Sequence, residues 1–220
     1  MTSTTDPANW PEAHCRTPAH MTDALLRRLD ELTTWPPPPR VLELGVGTGA
    51  IADRFAAHYG TRVVGVDVRP APKDAQWQHM QLDVCYDDKP LMHLSPDIVV
   101  ANPPFVLSGW KRGPYDPATD GVMQFANVAL SLVANHGFVC ILHRTTWWTE
   151  MQTERQAWRR FLRRHYYTEV LNVGRGNFLE GQRKPDGKLY GTDSTTYGWL
   201  ILTRRLPPSR FTQQSDADIP

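Results

Sequence analysis

Hydrophobic positions along this chain follow two alternating patterns. Short, almost uninterrupted apolar runs are typical of strands that are buried on both faces of a sheet. Between these runs, apolar residues recur at helical spacing, as at Ile51, Phe55 and Tyr59. Such an alternation predicts an α/β fold with a parallel sheet and crossover helices. The predicted strands cover residues 41–44, 61–66, 77–82, 98–101, 138–143, 169–173 and 197–203.

A further helix is predicted before the first strand. Its apolar stripe begins at Met21 and ends at Leu32, and a run of four prolines at 36–39 stops it. Thr17 and Pro18 fit the N-cap and the first helical position. The later helices are predicted at residues 120–135 and 153–164.

A glycine-rich turn follows the first strand, with Gly45, Gly47 and Gly49 in Gly-x-Gly-x-Gly spacing. Glycine tolerates positive φ angles and lets a ligand lie directly against the main chain. The spacing differs from the dinucleotide fingerprint, so no pyrophosphate site is predicted. Asp67 ends the second strand, about 20 residues after the turn, where a carboxylate can bind both hydroxyls of a ribose. Asp83 follows the third strand and is placed to hydrogen-bond an adenine edge.

The tetrapeptide Asn102-Pro103-Pro104-Phe105 follows the fourth apolar run. The Asn102 side-chain oxygen and the Pro103 carbonyl provide two acceptors that can converge on one planar NH2 group. Phe105 can stack on the face of the group that carries this nitrogen. An exocyclic or amide nitrogen is a poor nucleophile until its lone pair is aimed. The arrangement therefore predicts nitrogen methylation, with Asn102, Pro103, Pro104 and Phe105 as the catalytic segment.

These motifs occur together in one known family. The segment from Glu43 to Gly49, Asp67, Asp83 and the segment from Asn102 to Phe105 resemble class I S-adenosylmethionine-dependent methyltransferases. Within that family the chain resembles the amino-methylating branch, typified by DNA adenine-N6 methyltransferases of the gamma arrangement and of small phage type. Thr17-Pro18 resembles the element that opens the cofactor site in the gamma arrangement.

The resemblance implies a Rossmann-like three-layer sandwich with a seven-stranded, mostly parallel sheet and an antiparallel last strand. It implies S-adenosyl-L-methionine as cofactor and in-line methyl transfer to adenine N6 of an extruded DNA base. Glu43 would orient the cofactor's amino group through the loop amides, Thr17 would close over its methionine end, and Phe178 would pack against the base. The expected cofactor-binding residues are Thr17, Glu43, Gly45, Gly47, Gly49, Asp67, Asp83 and Asn102.

Charge is distributed unevenly along the chain. Residues 1–143 carry 11 Lys and Arg against 15 Asp and Glu, whereas residues 144–220 carry 13 against 8. The basic half fits contact with a polyanion, and its arginine-rich helix fits a solvated surface equally well. Nucleic acid is the expected partner, with DNA favoured and RNA open. The expected substrate contacts, in loops that mix aromatic and basic residues, are Phe105, Trp110, Lys111, Arg112, Phe178, Arg183 and Lys184.

Composition restricts the remaining function classes. The 220 residues are 40% hydrophobic and 21% charged, which fits one globular domain. We expect this domain at residues 16–206, between loose segments at 1–15 and 207–220. Three cysteines without a pairing pattern fit the reducing cytoplasm, and no His or Cys spacing predicts a metal site. No apolar run predicts a membrane span or a signal sequence, so we expect a cytoplasmic protein.

Four substrate classes share an Asn-Pro-Pro-aromatic element: adenine N6 in DNA, adenine N6 in RNA, guanine N2 in ribosomal RNA, and the glutamine amide of release factors. The glutamine enzymes usually carry Tyr at the last position and a separate N-terminal helical domain; here Phe105 stands at that position, and one helix is predicted before the glycine turn. No target-recognition domain is predicted after the core, so recognition would fall to loops 106–119 and 174–196 or to a separate subunit. A non-enzymatic cofactor-binding subunit is disfavoured by the intact Asn102.

Overall fold

The computed structural model describes residues 16–103, 121–149, 153–178, 195–207 and 212–214, and one mixed sheet organises them. Its strands are β1 (Val41–Leu44), β2 (Val63–Asp67), β3 (Gln78–Gln81), β4 (Ile98–Ala101), β5 (Phe138–Arg144), β6 (Tyr167–Arg175), β7 (Thr196–Thr203) and β8 (Thr212–Gln214). The helices are α1 (Ala19–Leu32), α2 (Ala52–Tyr59), α3 (Gly121–Leu132), α4 (Thr145–Thr149) and α5 (Thr153–His165), with a 3-10 turn at Lys89–Leu91.

The strand order places a crevice where the sheet changes its direction of growth. The order is β3-β2-β1-β4-β5-β7-β6-β8, so the chain builds outward from β1 to β3 and then returns to lay β4 against the other side of β1. Both neighbours of β1 are parallel to it. Ligands of open α/β sheets bind outside the carboxyl ends of the strands at such a switch point. The fold therefore predicts a ligand site at the carboxyl ends of β1 and β4.

The predicted sheet is confirmed. Strands β1 to β5 are mutually parallel, and β7, the last of the seven predicted strands, lies antiparallel between β5 and β6. The structure adds a short strand that the sequence analysis did not predict. Thr212–Gln214, within the segment expected as a loose tail, pairs in parallel with β6.

Helices cover both faces of the sheet. Alternate residues of the central strands point to opposite faces, and each set packs against the helices on its own side. Leu42 and Leu44 belong to the apolar cluster formed with α3 and α5. Val41 and Val63 belong to the cluster formed with α1 and α2. This is the predicted three-layer arrangement. Among the described residues, no helix is both long and apolar enough to cross a membrane.

The start of α1 differs from the prediction. Pro18 is the N-cap residue, one position later than expected, and no side chain caps the helix. The Thr17 hydroxyl was expected to cap the helix, but it accepts a hydrogen bond from Asn102 Nδ2 at 3.0 Å instead. The predicted cap was wrong because a long-range partner, 85 residues away, takes the hydroxyl that a local rule assigns to the helix.

Candidate active site

Parallel register brings the ends of three strands, β1, β2 and β4, to one edge of the sheet. Leu44, the last residue of β1, pairs with Val66 on one side and with Ala101 on the other. Gly45, Asp67 and Asn102 follow these three aligned positions directly. The glycine turn, the acidic end of β2 and Asn102, the first residue of the predicted catalytic segment, are thus neighbours at this edge.

The glycine turn has the backbone conformation that only glycine adopts easily. Gly45, Gly47 and Gly49 have φ angles of 74°, 54° and 82°, in the left-handed region. Space is restricted as well, because a Cβ built at Gly49 would lie 2.1 Å from the ring of Trp77. A side chain at Gly49 would therefore be excluded by strain and by overlap. The Trp77 ring occupies the space beside Gly49, whereas the sequence analysis predicted Trp77 only as a strand residue.

Asp67 fixes the tip of this turn. Its Oδ2 accepts the Gly47 N–H at 2.8 Å, and its Oδ1 accepts both the backbone N–H and Nε of Arg69 at 3.0 Å. Burial alone would raise the pKa of Asp67, but the contacts with Arg69 and the Gly47 N–H outweigh it and hold the pKa below its ordinary value. The carboxylate therefore remains charged at the end of β2, where ribose hydroxyls were predicted to bind.

Arg69 is a residue that the sequence analysis missed. Its guanidinium lies against the glycine turn, 3.3 Å from where a Cβ of Gly47 would stand, and it also contacts Asp67 Oδ2 at 3.2 Å. A hydroxyl donor that binds Asp67 would have to share the carboxylate with this guanidinium. The signal in the sequence is the spacing Asp-x-Arg directly after a buried strand, because two residues is the reach of a carboxylate that accepts a backbone N–H.

Glu43 is a buried carboxylate with one unused oxygen. The side chain is 2% exposed, and no donor among the described residues reaches Oε2. The carboxylate accepts the N–H of Ala52, the first residue of α2, a helix that has no side-chain cap of its own. Burial raises the pKa of Glu43 well above its ordinary value. A buried oxygen without a donor costs free energy, and a ligand that brings a hydrogen-bond donor to it would remove that cost.

Asp83 stabilises its own turn after β3. Its Oδ1 accepts the Cys85 N–H at 3.0 Å, and its main-chain oxygen accepts the N–H groups of Tyr86 and Asp87. Because β3 pairs with β2 through Gln81 and Asp67, Asp83 lies beyond the same edge as Asp67. Its contact with an adenine edge stays a prediction.

Asn102 presents an open acceptor at the switch point. Its Nδ2 donates to Thr17 Oγ1, whereas its Oδ1 is shielded from solvent and has no donor among the described residues. Pro103, next along the chain, is buried. A buried amide oxygen without a donor costs free energy, so most native oxygens of this kind have partners. The arrangement can accept a hydrogen from an NH2 group that enters the crevice.

Phe178 lies close to this region but packs into the protein core. It is 7% exposed, and its ring makes an edge contact with Tyr197 at a centroid distance of 4.6 Å. A Cβ at Gly176 would lie 2.5 Å from Met21 and 2.8 Å from Phe178, so the end of β6 and the first turn of α1 meet closely here. This is the packing of a residue that anchors its loop, the alternative to a base-packing role.

The other predicted site residues lie outside the described residues. They are Pro104, Phe105, Trp110, Lys111, Arg112, Arg183 and Lys184. Among the described residues, no cluster of His, Cys, Asp and Glu could hold a metal ion.

The basic end of α5 lies away from the candidate site. His165 leads into Tyr167, which pairs with Thr203, and Thr203 pairs in turn with Phe138 at the start of β5. Phe138 is aligned with Ile98, the first residue of β4, whereas Asn102 follows the opposite end of that strand. The exposed arginines near the end of α5, among them Arg160 and Arg164, therefore lie nearer the amino-terminal ends of β4 and β5 than the carboxyl ends, where Asn102 lies.

No protein-family model and no curated protein matches this sequence, whereas many solved structures match its fold. The modification subunit of a candidate type I restriction enzyme from Vibrio vulnificus has a TM-score of 0.62 at 13% identity, over 94% of this chain and 48% of the other. A candidate class I S-adenosylmethionine-dependent methyltransferase from Listeria monocytogenes has a TM-score of 0.63 at 10% identity, over 92% and 66%.

A candidate RNA methyltransferase from Pyrococcus horikoshii has a TM-score of 0.57 at 18% identity and matches over 87% of both chains. The chain spans about half of the restriction-enzyme subunit and about two thirds of the Listeria protein. At these identities the likeness concerns the fold, which this chain shares with the candidate class I S-adenosylmethionine-dependent methyltransferase from Listeria.

Proposed function

We propose that this protein is an S-adenosylmethionine-dependent N-methyltransferase whose target is adenine N6 in DNA. The observation that carries the proposal is the buried Oδ1 of Asn102 at the switch point of the sheet, for which no described residue supplies a donor. An acceptor held there without a partner is explained if an NH2 group of the substrate supplies the missing hydrogen.

The residues around the glycine turn fit the cofactor. The positive φ angles of Gly45, Gly47 and Gly49 open the main chain to a ligand. The charged carboxylate of Asp67 suits ribose hydroxyls, and the unused Oε2 of Glu43 suits an amino group. When bound, the cofactor would supply a methyl group that its sulfonium centre has already activated.

Catalysis by this chain would consist mainly of alignment. Asn102 Oδ1 and the Pro103 carbonyl would accept the two hydrogens of N6, which draws the nitrogen towards a tetrahedral geometry and aims its lone pair. Phe105 would stack on the base. A general base is not required, because the proton can leave after the methyl group is transferred. Alignment of this kind contributes up to about 7–11 kcal/mol in well-oriented systems.

For a duplex target, the base must first leave the helical stack, at a cost of a few kcal/mol. Stacking on an aromatic side chain recovers about 1–3 kcal/mol for each base. We propose Phe105 and Trp110 for this role, because Phe178 already packs against Tyr197. Lys111, Arg112, Arg183 and Lys184 are proposed as phosphate contacts.

DNA is preferred over RNA as the target for two reasons. Thr17-Pro18 precedes the glycine turn as in the gamma arrangement, and a restriction-enzyme modification subunit is among the structures with this fold. The target sequence would be read by loops 106–119 and 174–196 or by a separate subunit. RNA methylation, at adenine N6 or guanine N2, is the second candidate, since the candidate RNA methyltransferase matches over most of both chains.

The test is transfer of a tritiated methyl group from S-adenosylmethionine to duplex DNA, single-stranded DNA, total RNA and release factor. We expect label in DNA, at N6 of adenine. Asn102→Ala should abolish transfer while the affinity for the cofactor stays within a few fold. Label in RNA or release factor alone would replace the proposed substrate, and full activity of Asn102→Ala would refute the mechanism.

A further inference from the structure

The carboxamide of Asn102 is chemically ambiguous, because its two ends have almost the same shape. Turned by 180°, it would present Nδ2 to the crevice in place of Oδ1. An oxygen there accepts hydrogens from an NH2 group, whereas an NH2 group there repels another one. The orientation of this amide therefore decides whether the proposed site can bind an amino nitrogen at all.

We infer that Thr17 is a positioning residue whose hydroxyl holds the Asn102 carboxamide in place beside the crevice by accepting from Nδ2. A threonine hydroxyl can also donate, so Thr17 fixes the position of the carboxamide, and the NH2 group of the target favours the orientation with Oδ1 in the crevice. Thr17 Oγ1 accepts from Nδ2 at 3.0 Å, and Oδ1 is left buried without a donor among the described residues. This role differs from the cofactor contact expected of Thr17, and its catalytic consequence rests on the proposed function.

Thr17 is well held for this purpose. It is 5% exposed, and the Pro18 carbonyl after it accepts the Met21 N–H. Met21 is fully buried, and its own carbonyl accepts the indole N–H of Trp199, in the middle of β7, at 2.8 Å. The start of α1 is thereby tied to the sheet. A hydroxyl on a rigid support restricts its partner's orientation more strongly than one on a free loop would.

The test compares variants of two buried threonines on one segment. Thr17→Val keeps the shape of the side chain and removes the hydroxyl, and Thr17→Ser restores it. Thr22→Val is the matched control, because Thr22 is fully buried in α1 and its hydroxyl has no partner among the described residues.

The kinetic measurement is single-turnover transfer at saturating cofactor and DNA. With Thr17→Val we expect the rate to fall about tenfold, the effect of losing one hydrogen bond. Thr17→Ser should stay within about twofold of the wild type, the same limit that we expect for Thr22→Val. A fall in Thr17→Val that serine does not reverse would refute the positioning role.

A second measurement does not depend on activity. The side-chain amide signals of Asn102 in a 15N NMR spectrum, assigned with Asn102→Ala, report the hydrogen bond directly. We expect one Nδ2 proton shifted and slow to exchange in the wild type and in Thr17→Ser, and both changes lost in Thr17→Val. Unchanged signals in Thr17→Val would overturn the inference. If the signals change as expected but the wild type methylates nothing, the proposed function fails and the positioning of the amide stands.

Discussion

Two buried glutamates lie in one row of the sheet and have opposite environments. Glu43 in β1 pairs with Val100, and the register continues through Cys140 and Ile201 to Glu169 in β6. The residues between them belong to the cluster that faces α1 and α2. This part of the row, from β1 to β6, has a carboxylate at each end, of which Glu43 is 2% exposed and Glu169 is 1% exposed.

The two carboxylates differ in their partners. Glu169 accepts hydrogen bonds from Nε and Nη2 of Arg28 at 2.9 and 3.0 Å and from the hydroxyl of Tyr167. Glu43 has the N–H of Ala52 and an oxygen without a donor among the described residues. A buried charge is stable when it is paired and hydrogen-bonded. The fold therefore pairs the carboxylate at one end of this part of the row, the closed end. At the other end, the open end beside the glycine turn, it leaves a carboxylate oxygen that has no donor among the described residues.

Removing the partner of Glu169 should have the largest effect on stability. Arg28→Ala leaves a buried carboxylate without its cation, and we expect a loss of about 3 kcal/mol in the free energy of unfolding in urea. Arg54→Ala is the control, since it breaks the much more exposed pair with Asp23 and should cost at most about 1 kcal/mol. Equal losses would mean that the closed end of the row is not special.

The open end of this part of the row lies beside the glycine turn. Substitution in the turn should have the next largest effect on stability. Gly49→Ala adds left-handed strain and overlap with Trp77, so we expect a loss of about 2–3 kcal/mol and of cofactor binding. Gly60→Ala separates the two causes, because Gly60 has a φ of 62° and open space around its Cβ position. It should cost about 1 kcal/mol and leave cofactor binding intact.

The smallest effect should be one of pH. The folded-state pKa of Glu43 is raised by burial, so its contribution to stability is present below the ordinary carboxyl pKa and is lost as the pH rises towards the folded-state value. Glutamine does not titrate. In urea unfolding, the stability of Glu43→Gln relative to the wild type should therefore increase from acidic to neutral pH.

Asp67 provides the opposite sign within the same site. Its folded-state pKa is lowered, so its contribution is present above the ordinary carboxyl pKa and is lost as the pH falls towards the folded-state value. The stability of Asp67→Asn relative to the wild type should thus improve under acid. A pH-independent difference for either variant would contradict the assigned environment.

Local features were predictable because their causes are local. The strands follow from apolar runs, and the positive φ angles of the glycine turn follow from the lack of a Cβ. The N-cap of α1 and the strand at residues 212–214 were missed, because each depends on a partner far away in the sequence.

Phe178 illustrates the same limit at the site. An aromatic residue after a strand is compatible with a base contact and with a core anchor, and the sequence does not contain the position of Tyr197 relative to it. The structure provides that position, and the ring lies against Tyr197. Arg69 and Trp77 were overlooked for a similar reason, since their contacts with the glycine turn form only when β2 and the approach to β3 lie beside it.

The sequence by itself determined the alternation of strands and helices, the glycine turn and the chemistry that Asn102 and Pro103 offer, because these depend on residue type and short-range spacing. The tertiary structure alone decided which buried polar groups are satisfied. Glu169 meets Arg28 from α1, and Asn102 meets Thr17, only after the chain has folded. Hydrogen bonds are short and directional, so only positions in space reveal that one oxygen of Glu43 and one of Asn102 have no donor among the described residues.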